Sequence, residues 1–175
     1  MGFCLFNSVV VGAQHALQQP NINRVAILDF DVHHCNGTVD LCLPNPDILV
    51  CSTFQHPWYP GRYVDVDADH IKNSPLAAGS GSEAFRRAVE TDWLPALDQH
   101  KPDIILISAG FDAHEQDPLG GLLLQNEDYY WVTKTILDAA NTHCGGRVVS
   151  ALEGGYDLNA LADSTEAHLS ALLSA

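Results

Sequence analysis

Four short strings gather the side chains of this sequence that could do chemistry. They are Asp29-Phe30-Asp31-Val32-His33-His34, Ser52-Thr53-Phe54-Gln55-His56, Ser108-Ala109-Gly110-Phe111-Asp112-Ala113-His114 and Glu153-Gly154-Gly155-Tyr156. Asp31 and His33 are two residues apart, so on extended chain their side chains point the same way. With Asp112 they make two carboxylates and one imidazole, a set that a catalytic zinc ion can use with its fourth position open. Asp29 points to the same side and is suited to orienting a neighbour or holding a second cation. Tyr156 follows a glycine pair that lets the chain turn tightly. A phenol beside a metal can donate to the oxyanion that forms when water attacks a carbonyl. Each residue has a plainer alternative: an aspartate capping a turn, a satisfied loop histidine, a core tyrosine. The coincidence of four such strings argues for a site, because core packing alone is a poor reason for Asp, His, Ser and Tyr to follow four apolar runs in turn.

Those runs are the elements that must position the site. Residues 24–30 (RVAILDF), 47–54 (DILVCSTF), 103–109 (DIILISA) and 147–152 (RVVSAL) are continuously apolar and rich in β-branched residues. That pattern predicts strands of a parallel sheet buried on both faces. Helical spacing predicts helices over about 7–18, 82–99, 126–143 and 158–173, with Ser82 as a candidate N-cap. Strands alternating with helices imply an α/β fold with helices on both faces of the sheet. Ligands in such folds bind beyond the carboxyl ends of the strands, where the four strings lie. Residues 57–82 form a long Gly/Pro/Asp-rich segment of the kind that is more often functional than structureless.

Composition narrows the alternatives. The chain has 175 residues, enough for one domain over 1–175 with its own core. No apolar run approaches the ~18 residues of a membrane span. Eight basic against 22 acidic residues give a net charge of −14, which disfavours nucleic acid as a partner and is compatible with cationic ones. Five cysteines without a CxxC pair argue against a disulfide framework or thiolate zinc site, and the expected location is cytoplasmic. The apolar start, Gly2-Phe3-Cys4-Leu5-Phe6, is expected to lie inside a larger fold.

The strings MGFCLFN, LDFDVHHCNGT, YPG, SAGFDAHEQDPLGG and LEGGYDLNALA together resemble the zinc-dependent histone deacetylase family, in particular its class II and bacterial deacetylase or acetylpolyamine amidohydrolase members. The resemblance runs in order from Met1 to about Leu173. It implies a three-layer αβα sandwich around a mostly parallel sheet, of arginase/deacetylase type and incomplete at its N-terminus. It also implies hydrolysis of acetyl-lysine or acetylated polyamine. Asp31, His33 and Asp112 would then be zinc ligands, and Tyr156 would stabilise the tetrahedral intermediate. Asp29 and Ser52 would belong to a structural potassium site. Phe3, Tyr59 and Leu119 would line the acyl-lysine tunnel, with Gly155 where the tunnel meets the tyrosine loop; their types alone favour ordinary core.

Departures accompany the resemblance. The family's tandem histidines, which handle the reacting protons, precede the GFC block and are not in this sequence. Asp29 and Asn36 match the residues that would orient them. Cys35 replaces a usual glycine, which would strain the loop if that position needed positive φ. His34 is expected to face away from the ligands, and His114 is not expected to act as a base. His15, His70, His100, His143 and His168 are read as surface or helix residues, and Trp58, Trp93 and Trp131 as packing anchors.

Other readings compete. One is a non-enzymatic or truncated deacetylase-like module. Another is a haloacid-dehalogenase-type phosphatase, in which Asp29 would be the nucleophile and Asp31 the acid; His33 and the helical Lys134 fit it poorly. An arginase-like two-manganese hydrolase would need a second set of Asp and His ligands.

Overall fold

The computed structural model describes residues 3–174. Five parallel strands form one sheet: β1 (Val25–Asp29), β2 (Ile48–Gln55), β3 (Ile71–Leu76), β4 (Ile104–Ala109) and β5 (Val148–Leu152), in the order β3-β2-β1-β4-β5. The helices are α1 (Ser8–Ala16), α2 (Asn36–Cys42), α3 (Ser82–Ala88), α4 (Leu94–His100), α5 (Asn126–Cys144) and α6 (Leu158–Leu173). Alternate strand residues serve two cores. Ala26, Leu28, Leu49, Cys51, Ile105 and Ile107 pack beneath the helices from α3 to α5. Val25, Ile27, Ile48, Val50 and Leu106 pack beneath α1 and α2. The three-layer α/β expectation therefore holds for the described residues, and β1 and β2 are buried along their whole length.

The structure corrects several local expectations. β3 lies inside the segment read as a loop; its sequence IKNSPL is polar because it occupies a sheet edge. The expected helix over 82–99 is three pieces, with a π-type turn at Val89–Trp93 between α3 and α4. Pro95 stands just after that turn and has no N–H for a regular i→i−4 bond. Gly81, not Ser82, caps α3, and the Ser82 hydroxyl instead donates to Asp128. β5, expected to be buried on both faces, leaves Val149 and Leu152 exposed; among the described residues it pairs with β4 alone.

Helix ends are set by local hydrogen bonds. The Asn7 side chain accepts from the Val10 N–H at the start of α1, and Asp157 caps α6 by accepting from the Asn159 and Ala160 N–H groups. His168 is a helix residue of α6, buried and bonded to Thr133 and Ser150. Trp93 is a buried anchor, whereas Trp58 is exposed.

Candidate metal centre

The site grows from the carboxyl ends of β1, β4 and β5. Asp31 and His33 do not lie on extended chain. They occupy a tight bend in which Asp31 Oδ1 accepts the His33 N–H at 2.9 Å. The bend, rather than strand alternation, turns both side chains to one point. Asp112 arrives from beyond β4, its Oδ1 accepting the Val32 N–H at 2.8 Å. His33 Nδ1 then lies 3.0 Å from Asp31 Oδ1 and 3.2 Å from Asp112 Oδ2. Ligand atoms of Asp31, His33 and Asp112 all fall within 4.8 Å of one another.

The electrostatics describe a pocket in need of positive charge. Burial opposes a charge on His33, but its close contacts with the Asp112 and Asp31 carboxylates outweigh it and push its pKa up to about 10. Burial and the Asp31 charge push Asp112 up to about 6, despite the nearby His33 ring and the Val32 N–H bonded to its Oδ1. Asp112 Oδ2 is buried without a hydrogen-bond partner, so a donor or cation is required to satisfy it. Two glycines leave the room. A Cβ at Gly154 would collide with Asp112 Oδ2 and Asp31 Oδ2, and one at Gly110 would collide with Asp31. The donor types, convergence and orphaned oxygen fit a divalent metal held by these three residues.

Tyr156 stands beside this trio on the turn after β5. Gly155 there has φ +142°, and the Gly154 N–H donates to Asp31 Oδ2 at 3.0 Å. Burial and the charges of Asp112 and Asp31 push the phenol up to about 12, so it keeps its proton at neutral pH. Phe3 packs edge-on to Tyr156 at 5.8 Å, and Tyr59 edge-on to His33 at 6.1 Å. Phe3, Tyr59 and Leu119 are exposed rather than part of the ordinary core that their types favour.

A second polar cluster lies one layer down. Asp29 pairs in register with Ser52 across β1 and β2, and both are buried. Burial and the Asp31 and Glu153 charges hold Asp29 well above the usual carboxylate range, while Ser52 Oγ has no partner. Asn36 is buried at the start of α2. Cys35, just before it, has φ −74°, so the anticipated strain is absent. Asp29 also accepts the Asp31 N–H and is turned inward, which removes it as the nucleophile of a phosphatase. Among the described residues no second group of metal-ligand type joins the trio, which leaves the two-manganese reading without ligands. His34 is turned to Asn73, and His114 Nδ1 accepts the Gln116 N–H.

The family model of the histone deacetylase domain matches residues 1–172. The chain belongs to this deacetylase family. The chain is 44% identical to "Histone deacetylase 14, chloroplastic" of Arabidopsis thaliana, over 99% of its own length and 42% of that protein's. It is 37% identical to the "Histone deacetylase-like amidohydrolase" of Pseudomonas aeruginosa, over 89% of its length and 43% of that protein's. Among solved structures, the HDA15 HD domain superposes with a TM-score of 0.91 at 35% identity, covering 99% of this chain and 50% of that one. The chain thus spans about two-fifths of the length of the Arabidopsis and Pseudomonas relatives. Its sheet and flanking helices are those of a histone deacetylase domain.

Sequence reasoning missed three supports of the site. Asp117 bonds the Tyr156 and Leu119 N–H groups, Gln55 bonds the Gly121 N–H, and Gly120 packs against the Asp112 carbonyl. The DPLGG string hinted at a tight turn, but nothing in it announced which distant groups the turn would meet.

Proposed function

We propose that this deacetylase family member hydrolyses the acetyl amide of a lysine side chain or polyamine, with a zinc ion held by Asp31, His33 and Asp112. When bound, such an ion supplies Lewis-acid polarisation of a carbonyl and a water of lowered pKa. The observation that carries this reading is the convergence of three ligand-type groups, one with an orphaned buried oxygen, beside a protonated phenol. Tyr156 holds its proton at the hydroxyl and can donate to an amide oxygen as that oxygen gains negative charge. Phe3, Tyr59 and Leu119 offer an apolar rim suited to an acylated, uncharged chain. Asp29 and Ser52 would share a potassium ion, which supplies the partner that Ser52 Oγ lacks. All five cysteines are free, which supports a reducing, cytoplasmic setting.

His34 and His114 are bonded elsewhere, so neither is offered as general base. Unless a general base is supplied from outside these 175 residues, rates are lower by roughly 10²–10⁴, so turnover by this segment alone is expected to be slow. The same observation favours a second reading, a zinc-binding deacetylase-like module without turnover. The deciding experiment is turnover of fluorogenic acetyl-lysine peptide and acetylated polyamine by the zinc-loaded chain, with Tyr156→Phe beside it. The catalytic reading expects slow hydrolysis that drops a further ~10²–10³ in the variant, the usual worth of an oxyanion donor. One zinc per chain with no hydrolysis supports the second reading, and a folded chain that binds no zinc sinks both.

A further inference from the structure

Tyr156 reaches its place with little help from its own side chain. Its ring is partly exposed, and the aromatic packed edge-on to it, Phe3, is itself 83% exposed. What fixes the residue is its backbone. Gly154 hangs from Asp31 Oδ2, and two residues later the Tyr156 N–H donates to Asp117 Oδ2 at 2.7 Å. Asp117 is 6% exposed, and its other oxygen accepts the Leu119 N–H at 2.9 Å. One carboxylate therefore ties the tyrosine turn to the strap that carries the rim residue Leu119.

That strap is itself fixed. The Asp117 N–H donates to the His114 carbonyl, and Gly121 donates to Gln55 Oε1 on β2 at 2.7 Å while its carbonyl accepts the Gly79 N–H. Between these points Gly120 lies so close to the Asp112 carbonyl that a Cβ there would collide with it. The strap thus rests on the backbone of a ligand residue at one point and holds the phenol's backbone at another. A charge-assisted bond of this kind is shorter and stronger than a neutral one.

We propose that Asp117 is a positioning residue: it sets the distance between the Tyr156 hydroxyl and the Asp31–His33–Asp112 centre by anchoring the Tyr156 amide, and through Leu119 it couples that distance to the substrate rim. The proposal rests on the proposed function for its catalytic consequence, while the anchorage stands on geometry alone. Asp117→Asn keeps the size of the side chain but presents an amide N–H₂ to one of the two backbone donors. Asp117→Ala removes both acceptors.

The test has one readout independent of activity and one dependent on it. In the wild-type chain the Tyr156 amide is expected to exchange slowly with solvent, and in Asp117→Asn at least about tenfold faster. Zinc affinity should stay within about twofold, because the three ligands are untouched. In turnover assays, kcat should fall about 10–100-fold with KM nearly unchanged, since misplacement of a reacting group by ~1 Å costs about that much. Adding Asp117→Asn or Asp117→Ala to Tyr156→Phe should cost nothing further, the sign that Asp117 acts through the phenol. A freely exchanging wild-type amide, or losses that simply multiply in the double variants, would overturn the proposal. If the wild type neither binds zinc nor turns over, the functional reading fails, and amide exchange still decides the anchorage.

Discussion

Gly154→Ala is the sharpest test of whether the two carboxylates converge as described. A Cβ at position 154 would stand 2.7 Å from Asp31 Oδ2 and nearer still to Asp112 Oδ2, whereas real Cβ contacts stay beyond 3.0 Å. Asp31 Oδ2 alone must retreat by about 0.3 Å, the difference between those two distances, and Asp112 by more. Metal sites tolerate ligand displacements of only about 0.2 Å. The backbone at 154 is outside the left-handed region, and the crowding atoms belong to these two side chains, so the fold should survive. Loss of a supporting group costs metal affinity ~10–100-fold. With two of three ligands displaced, the upper end applies: about 100-fold, or about 2.8 kcal/mol. Zinc competition against a chromophoric chelator at neutral pH gives the affinity, and circular dichroism with a thermal melt confirms folding. A folded Gly154→Ala chain that binds zinc as tightly as wild type would refute the convergence, and with it the metal centre.

Two further predictions address the layers below. Burial lowers His168 from 6.5 to about 4, so its folded form stays neutral while the unfolded chain takes up a proton below pH 6.5. Its contribution is complete above pH 6.5 and lost as pH falls toward 4, about 2 kcal/mol by pH 5. Urea unfolding at pH 7 and pH 5 should show this extra loss in wild type and not in His168→Gln; equal losses would count against it. Potassium, compared with a bulky organic cation, should raise the melting temperature of wild type by a few degrees, on the order of 1 kcal/mol for a chain this size. Ser52→Ala should abolish most of that gain; a potassium response identical in both chains would remove Ser52 from any cation site.

Three of the four apolar runs were readable because strands buried on both faces are nearly continuously apolar, as β1, β2 and β4 are; β5 has the same composition although it is largely exposed. β3 and α2 were not readable. IKNSPL is polar because a sheet edge lets it be, and NGTVDLC is too short, with an Asn-Gly start, to display a helical period. The helix expected over 82–99 was right in extent and wrong in regularity, because Pro95 breaks the hydrogen-bond ladder without interrupting the apolar spacing.

For the site, residue chemistry was local and geometry was not. Asp31, His33, Asp112 and Tyr156 could be named from sequence because strand ends rich in ionisable groups stand out against apolar runs. The strand order that sets β4 beside β1 and β5 beside β4, and thereby brings Asp112 and Gly154 over Asp31, is a tertiary fact. So are the orphaned oxygen of Asp112, the pairing of Asp29 with Ser52, and the grip of Asp117 on an amide 39 residues away. Sequence determined which donors exist and that a buried parallel sheet presents them at one edge, because burial and side-chain chemistry are properties of each residue in its local run. Only the tertiary structure decided which donors meet, because hydrogen-bond distances and desolvation depend on neighbours that the chain brings in from far along its length.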